Sequence, residues 1–390
     1  MTHSGTLRNR QVYDQPVENE EGDRRRVTSL ELFFDLVFVF TITQITHLIE
    51  EVQGPADYGK AFLVLAVVWW MYAGYVWLTS NLDLGRTGAR LFLLAGMAGF
   101  FLIALSVPEG FGRNQLALGL AYLWVVAVHT VMFALKAGPG SAHAIRGIAP
   151  FNFAAGLAVI LGSWLTVEWS WLGWAAAVGV LVLSTMLRRE GGFTIHPSHF
   201  AERHGLVLIV VLGESLVAIG TGAAGRAVDL YVSASVIGAL ALSAALWWAY
   251  FDRDDASAER ILVATTGQQQ TRMALLAFGY AFVIMLAGVI VLAAGLERVL
   301  AHLGEATDTT AAVNQGLGVA LYLLGATLFR RLLGMQPGRL RPLAALAAIA
   351  SISIGITAGG LVQMWLLLAV VAGALILEQR SVVWQPTTSK

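Results

Sequence analysis

The sequence predicts an all-α, polytopic membrane protein with about twelve transmembrane helices, arranged as two parallel six-helix repeats. Of its 390 residues, 57% are hydrophobic and only 13% are charged, whereas a soluble domain is about 45–50% apolar and about 25% charged. The apolar residues form runs of roughly 20, the length that crosses a bilayer core about 30 Å thick. Positive charges cluster in alternate loops, and stretches of the first half recur in the second.

Twelve candidate spans follow one another along the chain. The fifth and sixth are separated by little more than TVEWS, and the eleventh and twelfth by TAGG, so each pair is expected to form a tight helical hairpin. The predicted spans are residues 29–49, 59–80, 89–107, 115–135, 147–166, 169–187, 204–221, 230–251, 272–295, 313–334, 342–358 and 361–378.

Lys and Arg residues in the short loops predict the orientation, because cytoplasmic loops are enriched in them. With the N-terminus inside, 21 of the 25 basic residues fall on the inside and four on the outside. We therefore expect a protein of the cytoplasmic (inner) membrane with both termini cytoplasmic. Residues 1–26 and 381–390 are predicted to be cytoplasmic tails, and residues 1–26 lack the apolar core of a signal peptide.

Three stretches of the first half recur, in order, in the second half. LVFVFTITQIT resembles LVLIVVLGESL, which aligns Gln44 with Glu214; WWMY matches WWAY; and RLFLLAGMAGFFLIAL resembles RMALLAFGYAFVIMLA. Six spans return the chain to its starting side, so the two halves should be parallel repeats. The predicted repeats are residues 27–190 and 191–380.

The first span carries most of its polar residues on one side. At 100° per residue, Glu31, Asp35 and His47 share a side, most phenylalanines lie opposite, and Gln44 is an exception on the apolar side. The polar side is expected to face protein or water. An alternative for Glu31 and Asp35 is a purely interfacial role, since both lie near the cytoplasmic end, where acidic groups favour the helix dipole.

The seventh span has a carboxyl group inside its apolar run. HPSHFAERHGLVLIVVLGESLVAIG places Glu202, Arg203 and His204 before the run, and Glu214 and Ser215 interrupt it. About 15 Å of helix rise separates His204 from Glu214, which puts Glu214 near the bilayer midplane. A carboxylate there costs roughly 2.5–3.5 kcal/mol. Two interpretations follow: a site that titrates or binds a cation, or a protonated carboxyl that hydrogen-bonds another helix.

No catalytic or cofactor motif accompanies these residues. The chain has no cysteine, which excludes disulfides, thiolate metal sites and cysteine nucleophiles. His196, His199 and His204 could suggest a metal, but a proline interrupts their spacing, and neither a metal nor a cofactor is predicted. Its formal net charge of zero gives no reason to expect nucleic acid. His129 and Asn152 are expected to be satisfied interhelical contacts, and the tryptophans to form an aromatic belt.

Two segments resemble a known family. LELFFDLVFVFTITQITHLI and HFAERHGLVLIVVLGESLVAIG resemble the signature segments of the bacterial low temperature requirement A (LtrA) family, over about residues 25–380. The resemblance implies a bacterial multi-pass membrane protein, named for a need during growth in the cold, without a settled biochemical activity. The signature residues map onto Glu31, Phe34, Asp35, Glu202, Arg203, His204, Gly205, Gly213, Glu214 and Ser215.

The predicted architecture is also similar to that of a potassium channel family of endosomes, lysosomes and bacteria. That family has six-helix repeats, lines its pore with the first helix of each repeat, and carries Phe-Ser-Asp in its first helix. This chain has Phe33, Phe34 and Asp35 at the comparable place, so the serine is missing. The analogy concerns architecture alone, and it would make the first and seventh spans the pore helices.

The leading hypothesis is a transporter or permeation protein with its pathway between the first and seventh spans, where Glu214 binds a proton or cation. The alternatives are a cation channel, a lipid-acting membrane enzyme that uses His199 and His204, and a non-catalytic scaffold or sensor. The expected partners are the lipid bilayer and a small solute or ion. The remaining predicted pathway residues are Glu31, Asp35, Gln44, His47, Glu202, Arg203, His204 and Ser215.

Overall fold

The described part of the chain is built of helices and contains no strand. Eleven helical runs within it are long and apolar enough to cross a membrane, and a twelfth, Trp171–Leu187, is apolar but shorter. The predicted fold class, an all-α polytopic protein with about twelve spans, is therefore confirmed. The structure is a computed structural model that describes residues 27–82, 84–136, 138–187, 195–305, 308–336 and 338–383.

Two of the spans contain breaks in regular α-helix. The helices α8 and α9 form one long run, and a π-helical segment, Ala274–Ala281, joins α10 to α11 in another. In chain order the helices are α1 (Ser29–Glu50), α2 (Pro55–Ser80), α3 (Thr87–Ser106), α4 (Gln115–Lys136), α5 (Gly138–Gly162), α6 (Trp171–Leu187), α7 (Pro197–Ala223), α8 (Leu230–Phe251), α9 (Asp254–Ala264), α10 (Gly267–Met273), α11 (Phe282–Ala301), α12 (Thr309–Leu332), α13 (Leu340–Ala358) and α14 (Gly360–Val383).

Several helices extend beyond the predicted spans. The seventh span was predicted to begin at residue 204, but α7 begins at Pro197, a residue that suits the first turn of a helix because it needs no amide donor there. The polar residues that follow His196 fit into the helix because His199, Arg203 and His204 are buried against other helices rather than lipid. The helix α14 likewise runs to Val383, past the predicted start of the tail. Residues 1–26, the predicted repeat boundary at 190–191 and residues 384–390 lie outside the described residues.

The helix α11 forms the centre of the second half, with nearly all of its side chains buried. It packs most closely against α12, and the two backbones meet at glycines. A Cβ added to Gly288 would lie 2.7 Å from the carbonyl oxygen of Gly318, so no side chain fits there. Small residues of this kind allow close packing between membrane helices, where the lipid offers no hydrophobic driving force.

The order of neighbouring helices is similar in the two halves. In the first, α1 packs on α3, α2 on α6, and α3 to α6 pack in succession; in the second, α7 packs on α11, α8 on α14, and α11 to α14 pack in succession. Gln115 of α4 donates to the Ser170 carbonyl before α6, at 3.1 Å, and Gln315 of α12 donates to the Gly360 carbonyl at the start of α14, at 3.2 Å. These correspondences are those expected of a duplication, which stays a prediction.

Candidate functional site

A fully buried cluster of charged side chains joins α1 to α7. The guanidinium of Arg203 donates to Asp35 Oδ1 at 2.5 Å, and its Nη1 lies 3.2 Å from Glu31 Oε1. Asp35 and Glu31 are one helical turn apart, so both carboxyl groups meet Arg203 from the same face of α1. We call Glu31, Asp35 and Arg203, together with His199, the ion cluster.

Neighbouring residues hold the ion cluster in place. His199 Nε2 lies 3.2 Å from Glu31 Oε1, and its other ring nitrogen lies 3.2 Å from the hydroxyl of Ser80 on α2. The hydroxyl of Tyr72, also on α2, donates to Asp35 at 2.7 Å. Glu31 is in addition the third residue of a capping box with Thr28, whose backbone N–H and hydroxyl each donate to it at 2.9 Å. One cluster thus ties together α1, α2 and α7.

The ion cluster is suited to fixing how α1, α2 and α7 pack against one another. Two carboxyl groups, those of Glu31 and Asp35, face the one guanidinium of Arg203. Buried ion pairs contribute little net stability, but removing one partner leaves an unpaired charge, which costs about 3–5 kcal/mol. The cluster is also incompletely bonded: among the described residues, Arg203 Nε and one oxygen of Asp35 have no hydrogen-bond partner.

A second polar contact lies between the same two helices, three turns farther along. Glu214 Oε2 accepts a hydrogen bond of 2.8 Å from the hydroxyl of Thr43. From Arg203 to Glu214 the helix rises about 16 Å. Glu214 is 5% exposed, and within the described chain it forms no ion pair with a Lys or Arg. The next residue, Ser215, is buried and its hydroxyl has no partner among the described side chains.

A third group of polar residues lies toward the C-terminal end of α1. His47 Nδ1 is 2.9 Å from Glu50 Oε2, and Glu297 of α11 interacts electrostatically with Glu50, His47 and Glu214. Beside them, Arg298 donates to the Glu50 carbonyl and to Asp308. The interface of α1 with α7 and α11 therefore carries polar groups at three levels, although hydrophobic residues form most of each helix.

Most of the predicted pathway residues lie in these groups, and three do not contribute as expected. Gln44, which the repeat alignment sets opposite Glu214, is half-buried, and its neighbour Thr43 makes the bond instead because 100° of helix rotation separates the two side chains. Glu202 precedes Arg203 in α7 but is exposed and is not a member of the ion cluster. His204 is buried among aromatic rings, 4.4 Å from Phe200 between ring centroids, and is not part of the ion cluster.

Tyr72 is part of the site, and the sequence did not predict this role. It belongs to the WWMY segment, which predicted only an internal repeat. Tyr72 packs against Phe38, with 4.1 Å between ring centroids, and this stacking aims its hydroxyl at Asp35. A tyrosine in the middle of an apolar span is the signal that could have indicated it, because a buried tyrosine hydroxyl requires a partner.

The histidines that could have suggested a metal have separate surroundings. His199 contacts Glu31, His204 Nδ1 donates to the Phe200 carbonyl at 2.9 Å, and His196 precedes α7. In the part of the chain that the structure describes, no group of three or more His, Asp or Glu side chains is placed to hold a metal ion.

These features define a class: a multi-pass α-helical membrane protein whose first and seventh helices are joined by buried charges. The family model described as "Bacterial low temperature requirement A protein (LtrA)" matches residues 26–377. The chain therefore belongs to the LtrA family, as the two signature segments indicated. It is also similar to the uncharacterized protein RA0937 of Rhizobium meliloti (strain 1021), with 25% identity over 338 residues that cover 81% of this chain and 80% of the relative.

Proposed function

We propose that this protein is a carrier that moves a proton, cation or small solute across the bacterial cytoplasmic membrane along the interface of α1 and α7. The observation that carries the proposal is Glu214. It is an ionisable group deep within a spanning helix, and its described hydrogen-bond partner is one hydroxyl. Ionisable groups at this depth are costly and usually mark ion or substrate pathways.

The surroundings of Glu214 suit reversible binding. The hydroxyl of Thr43 can donate to a carboxylate or accept from a carboxylic acid, so the contact survives protonation. A fixed Arg or Lys would hold the carboxyl group ionised, and none pairs with it in the described chain. A proton or a cation can therefore load and leave without dismantling an ion pair.

The two ends of the α1–α7 interface differ in a way that favours a carrier over an open pore. Toward the C-terminal end of α1, His47 is exposed and offers a polar entrance to Glu214. Toward the other end, the buried ion cluster closes the same interface. We propose that this conformation is open on the first side only, and that transport requires α1 and α7 to separate at the ion cluster, by analogy with alternating access in transporters built from repeats.

The lipid-enzyme alternative receives less support from the geometry. Its two proposed histidines, His199 and His204, are both fully buried, and they face different neighbours. A site acting on lipid headgroups would need at least one of them to be accessible at the membrane surface.

Proteoliposomes test the proposal. Purified protein should carry protons or a cation, from a panel tested with and without a pH gradient, faster than protein-free liposomes. Glu214→Gln should fold and lose most of this flux, because an amide cannot exchange a proton or bind a cation as a carboxylate does. Glu168→Gln, the same change at an exposed residue before α6, is the matched control and should keep it. The proposal would be contradicted if the parent protein gave no more flux than empty liposomes for every ion. It would also be contradicted if the Glu214→Gln variant kept full flux.

A further inference from the structure

A cavity of about 230 Å³ lies apart from Glu214, among α2, α4, α5, α6, α7 and the π-helical segment. Its wall is mostly aromatic and aliphatic. Trp70 and Trp77 of α2 line it, although the sequence favoured a membrane-surface belt for the tryptophans. Among the described residues, no Asp, Glu, Lys or Arg side chain lines it. We call it the aromatic cavity.

Two buried histidines present unpaired ring nitrogens at this cavity. His129 of α4 and His204 of α7 both line it and are both buried. Within the described chain, both ring nitrogens of His129 and Nε2 of His204 have no hydrogen-bond partner. An unpaired polar atom in such a place costs roughly 1–3 kcal/mol. His129 was expected to be a satisfied interhelical contact; of the two residues so predicted only Asn152 is bonded, accepting from Trp70 Nε1 at 2.9 Å.

The wall of the cavity also contains residues of the π-helical segment, Ala274–Ala281, which lies in the predicted ninth span. In the π-helical segment, the Gly279 carbonyl accepts a bond of 2.8 Å from Trp69 Nε1, and the Tyr280 hydroxyl lies 3.0 Å from Thr185 Oγ1 of α6. Both Gly279 and Tyr280 line the cavity. Short π-helical stretches inside α-helices occur frequently at functional sites.

We propose that the aromatic cavity binds a small, uncharged ring molecule that carries a hydroxyl or N–H group. An apolar cavity of about 150 Å³ holds benzene, so about 230 Å³ suits a larger ring system. Uncharged chemistry follows from the described wall, in which no side chain is charged. The polar group follows from the unpaired ring nitrogens: because Nδ1 of His204 donates to the Phe200 carbonyl, Nε2 of the neutral imidazole is an acceptor that a hydroxyl or N–H group would satisfy. The aromatic wall with a few convergent polar atoms is the usual composition of a small-molecule site.

The test uses 1-naphthol and naphthalene as matched probes, with the protein in lipid nanodiscs. Saturable quenching of tryptophan fluorescence and a rise in the unfolding temperature both report binding, because a ligand that binds only the folded state stabilises it. We expect 1-naphthol to bind about tenfold more tightly than naphthalene, the effect of about one hydrogen bond.

Variants locate the site. His129→Phe should weaken 1-naphthol binding about tenfold and leave naphthalene unchanged, whereas Tyr122→Phe, which removes a buried hydroxyl of α4 away from the cavity, should change neither. Ala66→Trp should abolish binding of both probes by filling the cavity, and Val178→Phe provides a second filling variant if the first fails to fold. Quenching that never saturates, or that survives both filling variants, would overturn the proposal. So would binding seen in detergent but lost in nanodiscs, which would identify lipid as the occupant.

Discussion

The same two helices, α1 and α7, meet at two polar contacts of opposite character. At the ion cluster, Arg203 faces two carboxyl groups, Asp35 and Glu31, and a tyrosine, a histidine and a capping box hold the carboxyl groups in place. About 16 Å away along α7, Glu214 has the hydroxyl of Thr43 as its partner. The ion cluster joins side chains of three helices, whereas Glu214 has one side chain as its hydrogen-bond partner.

On the proposed function, the difference separates a contact that fixes helix packing from one that exchanges a proton or cation. A buried charge that is paired many times is expensive to disturb, so it fixes how helices pack. A buried ionisable group with one neutral partner can change its protonation with small consequences for packing. We therefore expect substitutions at the ion cluster to affect folding strongly, and substitutions at Glu214 to affect flux while folding survives.

The largest effect is expected from Arg203→Met. It leaves Asp35 and Glu31 buried without their cation, at a cost of about 3–5 kcal/mol. The measurement is the unfolding midpoint of the detergent-solubilised protein in a titration with SDS, together with the yield of folded protein.

A compensating variant sharpens this prediction. If the cost comes from unpaired charge rather than lost volume, Arg203→Met combined with Asp35→Leu and Glu31→Met should recover most of the stability, because apolar replacement of a whole buried ion group is often neutral. If the single Arg203→Met variant proved as stable as the parent, the ion cluster would not be what fixes the packing of these helices.

The second-largest loss of stability is expected at a similar cluster of buried charges in the second half. Arg341 of α13 donates to Asp254 at 2.6 Å and to Glu378 at 3.1 Å, and Arg330 lies 3.3 Å from Glu378. Arg341→Met should destabilise by about 2–3 kcal/mol, less than Arg203→Met, because Arg330 remains to balance the carboxyl groups. The same SDS titration compares the two. Equal losses would mean that Arg330 does not compensate.

The fold was largely predictable because bilayer physics leaves few options. A chain with 57% hydrophobic residues in runs of about 20 must form spanning helices. The ends of the helices were less predictable. The polar residues before 204 look unsuited to a spanning helix, yet α7 begins at Pro197, since Arg203 and His199 are paired inside the protein.

The sequence predicted which residues of each helix belong to the candidate site, but not which residues of other helices they contact. Helical periodicity placed Glu31 and Asp35 on one face, and the carboxyl of Glu214 stood out in an apolar run. The partners depend on how α1, α2 and α7 rotate against one another, which the pattern of one helix does not encode. For this reason Thr43 replaced Gln44 as the partner of Glu214, and Tyr72 was missed.

A smaller effect is expected from Tyr72→Phe, which removes one hydrogen bond to Asp35 and keeps the ring that stacks on Phe38. The loss should be about 1.5 kcal/mol, at the low end for a bond to a charged group, because Arg203 still pairs with Asp35. The control is Tyr122→Phe, whose hydroxyl has no partner among the described residues and whose removal should change the SDS midpoint little. A Tyr72→Phe loss as large as that of Arg203→Met would mean that the hydroxyl, rather than the guanidinium, holds the ion cluster together.

The smallest effect on stability is expected at Glu214. In Glu214→Gln the amide oxygen still accepts from the hydroxyl of Thr43, and removing an ionisable group from the bilayer interior lowers the cost of burial. The SDS midpoint should therefore shift by less than about 1 kcal/mol in either direction. Thr43→Val, which deletes the donor and keeps the shape, should cost about 0.5–1.5 kcal/mol. The two contacts would lose their distinction if Glu214→Gln proved as destabilising as Arg203→Met, because Glu214 would then be a paired structural charge, and its one visible hydrogen bond would not account for its role.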